Sequence, residues 1–158
     1  MATATINLTR GSSTSNAFPA RDFLKTVGVA SAVLDWAVAT SVRGSALTTG
    51  DIVQLINLPP NTLVLGGVCE VITAVDNTAA TVDIGTTGIS ADNLVDGGNV
   101  KTTGITAPGT NGSYGWTTVI GSSGDTIDVL IASTTGTITT GKIRVDVVIA
   151  QVQTANTV

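Results

Sequence analysis

The side chains best suited to acid–base chemistry in this 158-residue chain are its aspartates, and two pairs lie close enough in sequence to consider, Asp125 with Asp128 and Asp92 with Asp96. A carboxylate dyad needs both groups on one side of an element. Residues three apart on a strand point to opposite faces, so Asp125 and Asp128 are badly placed to flank one bond. The run Asp92-Asn93-Leu94-Val95-Asp96-Gly97-Gly98 offers oxygen ligands and glycines but lacks the alternating acidic spacing and terminal Glu of a calcium loop, and it reads as a solvated turn. The chain has no histidine. Ser-His-Asp and Cys-His arrangements and imidazole metal sites are therefore ruled out. Cys69 is the one thiol, which excludes a disulfide within the chain and a cysteine cluster for zinc or iron–sulfur. Its expected role is that of a small buried apolar residue. The glycine-rich runs match neither phosphate-loop pattern between a strand and a helix. The sequence predicts no catalytic residue, no metal and no cofactor, hence no enzyme.

Binding chemistry has one candidate among the aromatics. Tyr114 and Trp116 are two apart on a predicted strand and share a face, an arrangement that can stack on sugar rings. Aromatics make up only 3% of the chain, however, and large apolar groups are needed in a core or an interface, so these two residues and Trp36 are assigned to packing or contact. Seven Lys and Arg against eleven Asp and Glu give a net charge of −4, with no basic stripe to follow a phosphate backbone. Nucleic acid is not an expected partner. No stretch reaches the roughly 18 unbroken apolar residues of a membrane helix, and the first ten residues lack the cationic start and apolar run of a signal peptide. A soluble protein without a membrane partner or cleaved targeting segment is expected.

What must position these residues is a β structure. Val, Ile and Thr together fill 61 of the 158 positions, beside 18 Gly. Branching at Cβ suits a pleated surface, and Gly marks turns and bulges. Glu occurs once and Lys three times, so the straight-chain helix formers of exposed helical positions are missing. Residues 22–42 are ambiguous: Val27, Val29 and Val33 suggest a strand, while Ala30, Val33, Leu34, Ala37 and Val38 could line a helix. Strands are chosen because β-branched residues dominate and Gly28 interrupts a helix.

From Asp51 to Leu58 apolar residues fall on both faces, which predicts a strand covered on both sides. Pro59-Pro60-Asn61-Thr62 reads as a turn, and the next strand starts at Leu63 with a bulge at Gly66-Gly67. After a turn at Asp76-Asn77, Val82 and Ile84 face inward. Residues 85–113 are Gly-, Thr-, Asn- and Asp-rich, with only a short strand near Leu94, Val95 and Val100, and read as a loop for partner contact. Tyr114 to Ile120 forms a strand. Ile127, Val129 and Ile131 then face inward, as do Ile143, Val145, Val147 and Ile149, with Arg144 and Asp146 opposed. About eight strands at turn spacing without helical connectors predict an all-β fold, a single β-sandwich of jelly-roll type over residues 21–158. Residues 1–20 are small and polar and form an extended N-terminal arm with Ile6, Leu8 and Phe18 as its anchors.

Mean hydropathy is +0.42 with 11% charged residues. A monomer of 15.8 kDa exposes about 7,000 Å² on the usual size scaling, which so few charges solvate poorly, so an assembly is expected. The phrases Thr5-Ile6-Asn7-Leu8-Thr9-Arg10-Gly11-Ser12, Asp51-Ile52-Val53-Gln54-Leu55-Ile56-Asn57-Leu58-Pro59-Pro60-Asn61-Thr62-Leu63-Val64-Leu65, Ala80-Thr81-Val82-Asp83-Ile84-Gly85, Asp125-Thr126-Ile127-Asp128-Val129 and Gly141-Lys142-Ile143-Arg144-Val145 resemble the capsid decoration, or cement, proteins of tailed bacteriophages, cyanophages in particular. The resemblance implies a homotrimer on the outer capsid surface of the virion, made in the host cytoplasm. Its partner there is the major capsid protein, and it reinforces the shell where subunits meet. Ile6, Leu8, Phe18, Trp36, Tyr114 and Trp116 are the expected contact residues. The alternative is a carbohydrate-binding β-sandwich of a phage fibre or surface adhesin, in which Tyr114 and Trp116 stand exposed beside the long loop.

Overall fold

Valine, isoleucine and threonine, stiff at χ1 and suited to pleated surfaces, dominate the nine strands of the computed structural model, which describes residues 5–7, 27–106 and 119–152. In chain order these are β1 (Thr5–Asn7), β2 (Val27–Asp35), the helix α1 (Trp36–Arg43), β3 (Ile52–Leu58), β4 (Thr62–Thr73), β5 (Thr81–Thr86), β6 (Ser90–Asn99), β7 (Gly104–Thr106), β8 (Asp125–Ser133) and β9 (Lys142–Gln151). They form two sheets, a five-stranded one in the order β1-β3-β8-β5-β6 and a four-stranded one in the order β2-β9-β4-β7. Every pair is antiparallel except β1 with β3, which runs parallel with Ile6 opposite Val53. The chain changes sheet at each connection but one, the β5–β6 hairpin. This is the expected all-β sandwich.

Its core lies between the sheets, where period-two alternation delivers one side chain in two. Val82 and Ile84 of β5, Ile127, Val129 and Ile131 of β8, and Ile143, Val145, Val147 and Ile149 of β9 are all buried there, as their alternation requires. Cys69 is buried on β4, and burial, then the nearby carboxylates of Asp146 and Glu70, push its thiol up to about 12. The Pro59–Thr62 segment turns through Asn61 at φ 60°, and the Thr62 hydroxyl donates to the Pro59 carbonyl at 2.7 Å. The ladder of β4 on β9 shifts register between Val64 and Gly66, the bulge that the glycine pair predicts.

Three expectations are corrected. The strand reading holds for Val27–Asp35, but Trp36–Arg43 is helical. The Asp35 carboxylate caps the helix by accepting from the Ala37 amide at 3.0 Å, and Gly44 ends it at φ 77°, a left-handed conformation suited to glycine. At its last turn Arg43 pairs with the buried carboxylate of Asp51, fastening the helix to the approach of β3. Second, β3 is not apolar on two covered faces. A register shift between Gln54 and Ile56 turns the strand over, so Val53 and Leu55 before it and Ile56 and Leu58 after it all reach one core. Third, the polar stretch from residue 85 is no long loop at its start: Ser90–Asn99 pairs with β5, and Gly104–Thr106 pairs with β4. The Asp92–Gly98 run read as a turn therefore lies in a strand. The predicted strand from Tyr114 falls outside the described residues up to Val119, which bridges to Leu63.

Candidate interaction surface

Alternation that sends Ala30 and Leu34 inward on β2 sends Val27, Val29, Ser31 and Val33 outward, and the three valines are 59%, 58% and 53% exposed. Register sets them beside Ala150, Val148, Asp146 and Arg144 of β9, while Val68 and Glu70 of β4 occupy the next column. Across the middle of this outer face the charges pair among themselves. Arg144 bridges Glu70 at 2.8 Å and Asp146 at 3.0 Å, Lys142 meets Asp35 at 2.9 Å, and the Ser31 hydroxyl donates to Asp146. Exposed pairs of this kind are worth roughly 0–1 kcal/mol each, so they neutralise the face more than they stabilise the fold. The valines have no such partners. Ile105 on β7, opposite Glu70, is 75% exposed, and Val38 and Val42 stand out from α1 one turn apart. A face whose two cations and three carboxylates nearly cancel, with isolated aliphatic groups beside them, suits protein contact.

The outer face of the five-stranded sheet is built differently. Asp128 is buried there and accepts hydrogen bonds from the hydroxyls of Thr87 and Thr126, the latter at 2.6 Å. Burial, helped by the charge on Asp125 and opposed by the Thr126 hydroxyl, raises its carboxyl to about 6. Asp125 accepts from the Gly88 amide at 3.0 Å. The two carboxylates thus hold adjacent residues of one turn, which strand alternation alone did not anticipate, because Asp125 is the first residue of β8 and is free to lean over its end. Both are engaged as anchors of the β5–β6 turn. Nearby, Asp83 accepts from the Gly97 amide at 2.8 Å, and burial, with Asp96 and Asp92 close by, raises its carboxyl. Among the described residues no group of three His, Cys, Asp or Glu is placed to hold a metal ion, and no helix is long and apolar enough to cross a membrane.

Of the expected contact residues, Trp36 is wholly buried in the core at the start of α1, so it packs the monomer's interior and presents nothing to a partner. Ile6 sits at the centre of β1, whose backbone pairs with β3. Leu8, Phe18, Tyr114 and Trp116 lie outside the described residues. Sequence reading missed the outward valines of β2 as surface groups. Their alternation with Gly28, Ala30 and Ala32 was visible, but which side faces water depends on the strand's place in the sheet.

No protein-family model matches the sequence, and no curated protein matches it. Two solved structures share the fold. A chain of the cyanophage Pam1 capsid asymmetric unit is 22% identical with a TM-score of 0.52, the match covering 80% of this chain and 86% of that one. A chain of the capsid of Ralstonia phage GP4 is 16% identical with a TM-score of 0.58, covering 82% of this chain and 87% of that one. At such identities the likeness is one of fold, spanning about four-fifths of this chain.

Proposed function

We propose that this protein is a structural, non-enzymatic component of a bacteriophage virion, a decoration protein that binds the outside of the capsid where major capsid subunits meet and stabilises the shell as a homotrimer. The observation that carries the reading is the shared fold with chains from two phage capsids, matched over four-fifths of this molecule. It agrees with the resemblance in the sequence. With β1 set aside, the orders β2-β9-β4-β7 and β3-β8-β5-β6 support the jelly-roll reading of the sandwich, an architecture used in viral capsid domains. The valine-bearing outer face of the four-stranded sheet, whose charges largely pair, supports contact with protein, and Ile6, Leu8, Phe18, Tyr114 and Trp116 are further residues assigned to partner contact.

The mechanism asks little of any one copy. About 2–3 kcal/mol at each of many contacts suffices, because a shell ruptures only when several are broken together and binding to the intact form alone stabilises that form. The test is to add purified protein to empty shells of the phage that encodes it, assembled without it. Co-sedimentation and a higher rupture temperature in calorimetry are expected. Protein that stays in the supernatant and leaves the rupture temperature unchanged would overturn the reading.

A further inference from the structure

The two sheets have four outer edges, and three carry a recognised defence against pairing with another chain. β1 and β7 are three residues long, and β6 is broken by two register shifts against β5 and carries Gly97 and Gly98. The fourth, β2, carries none. All nine of its residues pair with β9 in unbroken register from Val27–Ala150 to Asp35–Lys142. It contains no proline and no lysine, and its one charge, Asp35, is already paired with Lys142. Among the described residues no strand occupies its other side. Among the described residues, then, an apolar edge of about 30 Å in unbroken register is left without a partner strand.

We propose that the occupant is a second copy of this chain, its β2 adding antiparallel across a two-fold axis at Ser31. The sequence of the strand is the reason. The central five residues, Val29-Ala30-Ser31-Ala32-Val33, read the same in both directions about Ser31, while Gly28 falls opposite Leu34 and Val27 opposite Asp35. An isologous contact needs such self-complementarity. In this register Ser31 faces Ser31 of the second copy, Ala30 faces Ala32, and the exposed Val29 faces the exposed Val33, twice over by symmetry. Directly opposed residues of antiparallel strands lie on the same face, so each valine pair closes outward surface that one copy leaves wet. Asp35 falls opposite Val27, and no like charges meet. Sliding by two residues either way sets Ser31 against a valine and shortens the ladder; sliding by one turns every side chain to the wrong face. The product is a continuous eight-stranded sheet, four strands from each copy. A two-fold contact of this kind pairs two copies and cannot by itself build a trimer, and it does not depend on the capsid reading.

The test uses Ser31→Cys in the full chain. Cys69 is buried with its thiol held protonated, so the introduced sulfur is the reactive one. Under mild oxidation at micromolar protein, a two-chain species on a non-reducing denaturing gel is expected, in yield at least about tenfold above that of Ser123→Cys on an exposed turn, because facing thiols are present at an effective concentration near millimolar. The double variant Val29→Lys with Val33→Lys should abolish the cross-link when combined with Ser31→Cys, with an unchanged circular dichroism spectrum. Cross-linking no better than in Ser123→Cys, as when a segment of the same chain or another peptide fills the edge, would overturn the proposal, and so would linking that survives both lysines. Shell binding that fails while the cross-link forms would sink the capsid reading and leave this one standing.

Discussion

Two edges of the sandwich solve the same problem in opposite ways. At one, β5 and β6 form a bent hairpin whose ladder slips twice, whose turn is held by Asp125 and Asp128, and where the chain folds back so closely at Gly85 that no side chain fits. At the other, β2 runs straight for nine residues and ends in a capped helix. The first edge is intrinsically irregular and held by polar anchors from β8. The second is regular, held by one ladder and the core beneath it, and among the described residues its other side carries no strand. Irregularity closes an edge to other strands, while regularity leaves it available, and one sandwich can keep one of each.

The largest effect that would break this contrast comes from straightening the hairpin. A Cβ on Gly85 would run into the backbone of Ser90 and Ala91, which cannot step aside without undoing the turn. Gly85→Ala should therefore cost about 3 kcal/mol in urea unfolding. A variant within about 0.5 kcal/mol of the parent would mean the hairpin is slack. At the regular edge, Asp35→Ala removes both the helix cap and the partner of Lys142, for a loss of about 1–2 kcal/mol. The hydrogen bond from Lys142 is the main cause that holds the Asp35 carboxyl below its ordinary value, so this contribution is present above about pH 4 and fades as pH falls further. The gap between parent and variant should narrow in acid.

The smallest effect has the opposite sign. With its carboxyl raised to about 6, Asp128 binds a proton more readily in the folded than in the unfolded chain. Its stabilising share is complete below about pH 4 and is lost as pH rises through 6, leaving a buried charge at neutral pH. Asp128→Asn keeps an acceptor for the threonine hydroxyls without the charge. It should be more stable than the parent by on the order of 1 kcal/mol at pH 8, with no advantage near pH 4, as measured by melting curves across that range.

The contrast also decides what could be read from the sequence. β5, β8 and β9 were legible because each buries one face of an unbroken alternation, and the inward residues Val82, Ile127 and Val145 follow from it. β3 misled because a bulge puts four apolar residues from both parities into one core, and a bulge in a strand without glycine leaves no local mark. β6 looked like a loop because its Gly, Asn and Asp content fits poorly with regular pairing; its partner β5 supplies the order. The eight residues of α1 are too few to show a helical period, and the capping roles of Asp35 before it and Gly44 after it went unread. The exposed face of β2 was legible as alternation and illegible as surface, since edge position is a property of the whole topology. Trp36 shows the reverse error, a scarce aromatic expected at a contact and spent on the interior.

The winding of the chain also bears on its synthesis. β9, which pairs with both β2 and β4 at the middle of the four-stranded sheet, leaves the ribosome after every other described strand. Until it arrives, β2 and β4 have no ladder between them, and the inner faces of both sheets lack a floor. Contacts this distant along the sequence make for slow, concerted folding on a scale of roughly milliseconds to seconds. A product cut short by premature termination before residue 142 cannot build this sheet at all, so translation itself screens which chains can reach the native fold.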